Sequence, residues 1–218
     1  MVRASVSRRS GVSLRAGRRQ RELALRREDV VAAASQVFAA KGFAGAQMSE
    51  IAARAEVSLA SVYQLFASKE ELFEAVTVTA AEAVEALIRA RLEAILEPGE
   101  KLLAVSDALF ACFEQNRDLL RIYTRATHGL PWRARGEFGD RTHEVFDRFT
   151  DWVVELARAA ASAGALRGLD PETFASALIG AVLTSATRAV ESDDAAALAQ
   201  VAPRVRAIFA KALAGAAS

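Results

Sequence analysis

The sequence predicts an all-α protein: an N-terminal three-helix helix-turn-helix domain joined by a long helix to a larger C-terminal helical domain. Three observations predict it. Glycine and proline are scarce, 12 and 4 residues in 218, while Ala and Leu abound, which favours helices over strands and turns. Apolar residues recur at i, i+3, i+4 and i+7 along most of the chain. The stretches they mark end at readable caps and breakers. With 52% of residues apolar, there is enough chain for one substantial core and a small appended domain.

Residues 1–26 read as a basic arm. Between Met1 and Arg27 stand nine Arg and a single acid, Glu22, so the total charge of +1 hides a basic arm on an acidic body. With Gly11, Gly17, four Ser and a high net positive charge, the arm is expected to be disordered. Its arginines suit phosphates and a narrow, electronegative minor groove. A solvated tail, an overextended gene start or an Arg- and Ser-rich presequence would have the same composition.

The next domain spans 27–72. Its first helix, from about Arg27 to Lys41, buries Val30, Ala34, Val37 and Phe38 and stops at Gly42. Between Ser49 and Leu72 two short amphipathic helices and the start of a third are joined by tight turns. Ile51 and Ala52 face inward, Val57 plugs the turn, and Val62 anchors the second helix; small Ala52 lets the two helices cross closely. Ser58 is a good N-cap, and the helix it starts turns Leu59, Ala60, Ser61 and Gln64 outward. Ser68 caps again, with Glu71 placed to close a capping box, so a new helix begins at Lys69. A helix-turn-helix makes double-stranded DNA the expected partner, its second helix lying in the major groove. Tyr63, with a ring and a hydroxyl, and Lys69, a charge at a helix N-terminus, are the expected phosphate contacts.

The residues Val30, Ala34, Phe38, Lys41-Gly42-Phe43, Ile51-Ala52, Val57-Ser58, Val62-Tyr63, Phe66, Ser68-Lys69-Glu70 and Leu72 together form a strong pattern. On it, Val30 to Val76 resembles the DNA-binding domain of the TetR family of bacterial regulators. Beyond Val76 the resemblance is one of architecture. Three residues depart from the family pattern. Glu56 stands where a turn glycine is usual, at a position that tends to need positive φ, at a cost of about 1 kcal/mol. Leu65 replaces a phosphate-touching His or Tyr, and Gln47 a capping Thr. The grip of this motif alone should therefore be weaker than is typical.

The long helix runs from Lys69 to about Leu96, with Leu72, Val76, Ala80, Ala83 and Leu87 on one stripe, and Pro98-Gly99 ends it. Starting in one domain and ending in the other, it is the expected lever between them. Helices follow over about Glu100–Gln115 and Asp118–Thr127, then a loop at Gly129-Leu130-Pro131-Trp132. Another spans about Glu137 to Ala163, with Val145, Phe149, Trp152 and Leu156 in line. Asp170-Pro171 starts a helix to about Val190, and the last runs from about Asp194 to Leu213, where Pro203 should bend it. Small residues on both final helices suit a four-helix bundle across a two-fold axis. The resemblance implies a homodimer through them, at Phe174, Leu178, Ala181, Ser185, Val205, Ile208 and Phe209. Closing the monomer's own core is the alternative use of these faces.

No catalytic pattern is legible. His128 and His143 have no ligand partners at metal spacing, and there is no phosphate loop or nucleophile elbow, so no metal, cofactor or enzyme activity is expected. Arg117, Arg121 and Arg125 read as a solvated helix face. The single Cys112, between aromatic neighbours, reads as a buried small apolar residue and suits a cytoplasmic protein. No apolar run approaches the roughly 18 residues that span a bilayer. The resemblance implies that residues 73–218 form a ligand-binding and dimerisation domain. A small apolar or aromatic effector would enter its cavity, with Phe113, Tyr123, Trp132 and Phe149 as candidate walls. The expected whole is a ligand-responsive regulator, most simply a repressor on a palindromic operator. The competing reading, kept open by Glu56 and Leu65, is a helical ligand-binding dimer that no longer binds specific DNA.

Overall fold

A computed structural model describes residues 6–127, 136, 138–166, 168–192 and 196–214, with side chains from Gly17 onward, Thr127 excepted. Among them are nine α-helices and no strand: α1 (Val6–Gly45), α2 (Met48–Arg54), α3 (Leu59–Leu65), α4 (Lys69–Leu92), α5 (Pro98–Gln115), α6 (Arg117–Thr127), α7 (Asp140–Ser162), α8 (Pro171–Glu191) and α9 (Ala197–Ala214). The head consists of α2, α3 and the second half of α1. Helix α4 runs from it into a body formed with α5 to α9.

Helix α1 corrects the expectation for the arm, since the helix reaches back to Val6 instead of starting near Arg27. Between the arginines lie Ala16, Leu23, Ala24 and Leu25, which with Arg itself are strong helix formers, and only Gly11 and Gly17 oppose them. Its other end is as read: Gly42 has φ +71°, which breaks the helix after Lys41.

Helix α4 is shorter than its stripe suggests, ending at Leu92. Pro98-Gly99, read as its terminator, instead opens α5: the Glu97 carboxylate accepts from the Gly99 and Glu100 amides, and Pro98 occupies the first turn. Cys112 is wholly buried in α5, where burial pushes its thiol pKa up.

Most buried side chains belong to one cluster running from Val30 in the head to Phe209 at the chain's end. A separate small cluster joins Val78 and Ala81 of α4 to Val145 of α7. The final helices correct part of the dimer expectation. Phe174, Leu178, Val205 and Phe209 are monomer core, with the Phe174 and Phe209 rings edge-to-face at 5.3 Å. Of the other residues named for the interface, Ala181 and Ser185 are half-buried and Ile208 is 65% exposed. Apolar periodicity marks a stripe without saying whether the same chain covers it, and here the large residues turn inward. Pro203 lies inside α9. Helix α8, long and apolar enough by composition to cross a membrane, exceeds the expected limit on apolar runs; a third of that stretch is buried in this fold.

Candidate DNA-reading head and ligand cavity

In the head, local chemistry sets the recognition helix. The Ser58 hydroxyl accepts from the Ser61 amide at 3.1 Å and also pairs with the Ser61 hydroxyl at 2.8 Å. Val62 is fully buried against the rest of the head, so Leu59, Ala60, Ser61, Tyr63 and Gln64 are left facing outward, Tyr63 being 49% exposed. In the turn before it, Glu56 has φ +56°, the left-handed conformation expected of a glycine. Gln47 precedes α2 without a side-chain capping bond. Leu65 is half-buried; its carbonyl accepts from Arg27 Nη1 at 2.7 Å, and the Arg27 guanidinium lies 4.0 Å from the centre of the Phe66 ring.

Lys69 is placed differently from the expectation. Its ammonium donates to the Phe43 carbonyl at 2.9 Å and the Ala46 carbonyl at 3.2 Å, and sits 4.5 Å from the Phe43 ring centre. Two of its three donors thus hold the connection between α1 and α2, so its first role is structural. Ser68 caps α4 by accepting from the Glu71 amide, while the Glu71 carboxylate reaches the Ala67 amide, one residue before the expected partner.

In the body, α4, α5, α6, α7 and α8 line a partly open cavity of about 250 Å³. Its wall includes Phe113, Tyr123 and Phe149; Trp132 and His128 lie outside the described residues. Polar groups join the wall: His143, one of the two histidines noted in the sequence, and others that the sequence did not single out. The Thr77 and Thr142 hydroxyls pair at 2.6 Å, and His143 Nε2 lies 3.2 Å from Asp147. Glu85, the one buried carboxylate among the described residues, is gripped by Arg148 through Nη2 at 2.8 Å and Nε at 3.1 Å, and by Arg89 at 2.9 Å. Those guanidiniums hold its carboxyl below the usual range against the opposing effect of burial. An acid between Ala81 and Ile88 on an apolar stripe was the available signal for it.

Head and body meet through aromatic rings. Phe73 of α4 contacts Phe38 and Phe43 at centroid distances of 5.0 and 5.1 Å, and Phe138 at 6.0 Å. Phe138 in turn contacts Tyr123 at 6.0 Å and Phe146 at 6.3 Å, and all three line the cavity. Arg125, expected to be solvated, donates to the Ala40 carbonyl at 2.6 Å and so ties α6 to the end of α1. Gly139, at φ +82°, admits the Glu74 carboxylate where a Cβ would approach it to 2.8 Å. Glu74 also accepts from the Arg141 amide at 3.3 Å.

A capped helix standing outward from a helix-turn-helix, on a purely helical body, defines a DNA-binding regulator. Residues 30–76 match the family described as bacterial regulatory proteins, tetR family. Solved structures match nearly end to end. The regulator FadR from Bacillus subtilis, in complex with stearoyl-CoA, is 19% identical with a TM-score of 0.73, over 85% of this chain and 98% of that one. A TetR transcription regulator from Haloarcula marismortui is 21% identical at 0.73, over 87% and 98%. AibR, in complex with isovaleryl coenzyme A and operator DNA, is 20% identical at 0.70, over 85% and 98%. At these identities the structural likeness is one of fold. No curated protein matches the chain. Residues 30–76 thus match the DNA-binding domain of the TetR family, and the whole chain has the fold of TetR-family regulators.

Proposed function

We propose that the protein is a homodimeric repressor that binds a palindromic operator through residues 27–72 and is released by a small molecule bound within residues 73–218. One observation carries the reading: a largely apolar, partly open cavity whose wall continues, ring against ring, through Phe138 and Phe73 to Phe38 and Phe43 of the head. A molecule pressing on Phe138 moves Phe73, and with it the start of α4 beside Lys69. The lever is thus α4 together with the aromatic junction, and the Arg125 link gives α6 a second hold on α1.

On DNA, Leu59, Ala60, Ser61 and Gln64 face bases, and Tyr63 and Gln47 face phosphates. The cavity suits an apolar or aromatic body with one polar end, for which Thr77, Thr142 and His143 supply hydrogen bonds. The acyl-CoA complexes of FadR and AibR make an acyl chain a reasonable first probe. The dimer forms on the faces of α8 and α9 that the monomer leaves open, at Ala181, Ser185 and Ile208.

The test is reciprocal titration. Isovaleryl-CoA and stearoyl-CoA are titrated into the protein with and without saturating DNA from upstream of its own gene. An inducer binds the DNA complex more weakly by the same factor by which it weakens DNA binding. Phe138→Ala, which also reshapes the cavity wall, should bring that factor toward one whatever it does to ligand affinity itself. Equal ligand affinity with and without DNA would remove the inducer reading.

A further inference from the structure

The stretch of α1 ahead of the head has no role in the helix-turn-helix. Residues 18–26 are exposed throughout, and Arg18, Arg19, Arg21 and Arg26 stand there against the single acid Glu22. Glu22 is engaged locally, accepting from Arg18 at 2.9 Å, and Arg21 donates to the Gly17 carbonyl at 3.2 Å. The basic surface is therefore presented on a formed helix.

Where that helix points follows from contacts at its two ends. Toward its C-terminal end the Ala40 carbonyl receives Arg125 of the body. At Arg27 it is pinned to the last turn of the recognition helix, through the Leu65 carbonyl and the Phe66 ring. Helix α1 thus crosses the head from the body side to the recognition side, and its uncovered part leaves beside α3, away from the body. From Arg27 back to Val6 it extends about 30 Å at 1.5 Å per residue. That length equals the rise of about nine base-pair steps along the duplex axis, at about 3.4 Å each, so the helix can reach several successive phosphates.

We propose that the N-terminal half of α1 is a second DNA contact, a rigid basic helix laid along the phosphate backbone flanking the half-site read by α3. This inference rests on the proposed docking of the head. Two features select the partner: the arginines match phosphate charge and geometry, and the surface is continuous with the helix-turn-helix. The helix adds affinity without base reading, offsetting the phosphate contacts missing at Leu65 and withdrawn at Lys69.

The test replaces Arg18, Arg19, Arg21 and Arg26 together by Gln in the full chain. Gln keeps helix propensity, and the sites are exposed, so circular dichroism and melting should be unchanged. Binding is measured from low to moderate salt on random duplex and on DNA from upstream of the chain's own gene. The slope of log affinity against log salt should fall in magnitude by about 2 to 4 per head. Affinity for both duplexes should drop together, leaving their ratio intact. An unchanged slope in a variant that still binds overturns this inference alone. Failure of the unaltered chain to bind either duplex removes the docking reading and this one with it. Exposed Leu23 and Leu25 invite a control on phosphatidylserine vesicles. Loss of vesicle binding with DNA binding intact would assign the helix to a membrane surface and overturn the proposal.

Discussion

In the head, Ser58 and Ser68 each cap a helix three residues before the amide they accept from, and Gly42 and Glu56 set the turns between. Every one of those interactions lies within a few residues of sequence. In the body, the Phe174 ring meets Phe209, Glu85 meets Arg148 63 residues on, and Thr77 meets Thr142 65 residues on. The helix starts and turns of the head are thus set by local signals, and the packing of the body by long-range choices among similar apolar stripes. A regulator needs both: a recognition helix in one presentation, and a cavity wall able to take up a ligand.

The largest effect that tests this contrast is in the body. Phe209→Glu removes a buried ring and leaves a carboxylate among apolar groups, at a cost of about 5 kcal/mol, so the body should unfold. Ile208→Glu, one residue away but exposed, should leave the fold intact and shift sedimentation from dimer to monomer. A dimer that survives Ile208→Glu would place the interface on another face.

Phe66→Ala comes next. Phe66 is fully buried and carries Arg27, so the loss is about 3 to 5 kcal/mol, and DNA binding should disappear. If head and body are as separable as their construction suggests, acyl-CoA binding to the cavity should persist, as measured by calorimetry. Joint loss would show one cooperative unit.

Glu85 gives a pH signature with a definite sign. Its folded pKa is depressed by Arg148 and Arg89, so its contribution is complete above the ordinary carboxylate range. The contribution is lost as pH falls through the lower folded value. Glu85→Gln should lower the melting temperature at neutral pH and flatten its fall in acid, seen as convergence of the two melting curves toward low pH.

The smallest change tests the local rule. Glu56→Gly should stabilise the head by about 1 kcal/mol, read as a higher denaturant midpoint, because glycine adopts φ +56° without strain. No gain would mean that the turn recovers its strain elsewhere.

Legibility in the sequence follows the same division. Ser58, Gly42, Val62 and the outward set Leu59, Ala60, Ser61, Tyr63 and Gln64 could be read because capping, positive φ and helical spacing act over at most four residues. Lys69 could be seen as a charge at a helix start, but its partners are the carbonyls of Phe43 and Ala46, more than twenty residues earlier. Phe113, Tyr123 and Phe149 were legible only as aromatics that some core would take. That they share a cavity with Thr77, Glu85 and His143 depends on how α4, α5, α6 and α7 converge.

By itself the sequence determined the helical class, the helix-turn-helix with its strained turn, and most helix starts, because caps and breakers are short-range and chemically specific. Tertiary structure alone decided which apolar stripe was buried within the chain, Phe209 inward and Ile208 outward. It alone brought Phe138 against Phe73 and left a cavity beside them. Burial is a property of what lies opposite, and an amphipathic stripe carries no record of its partner.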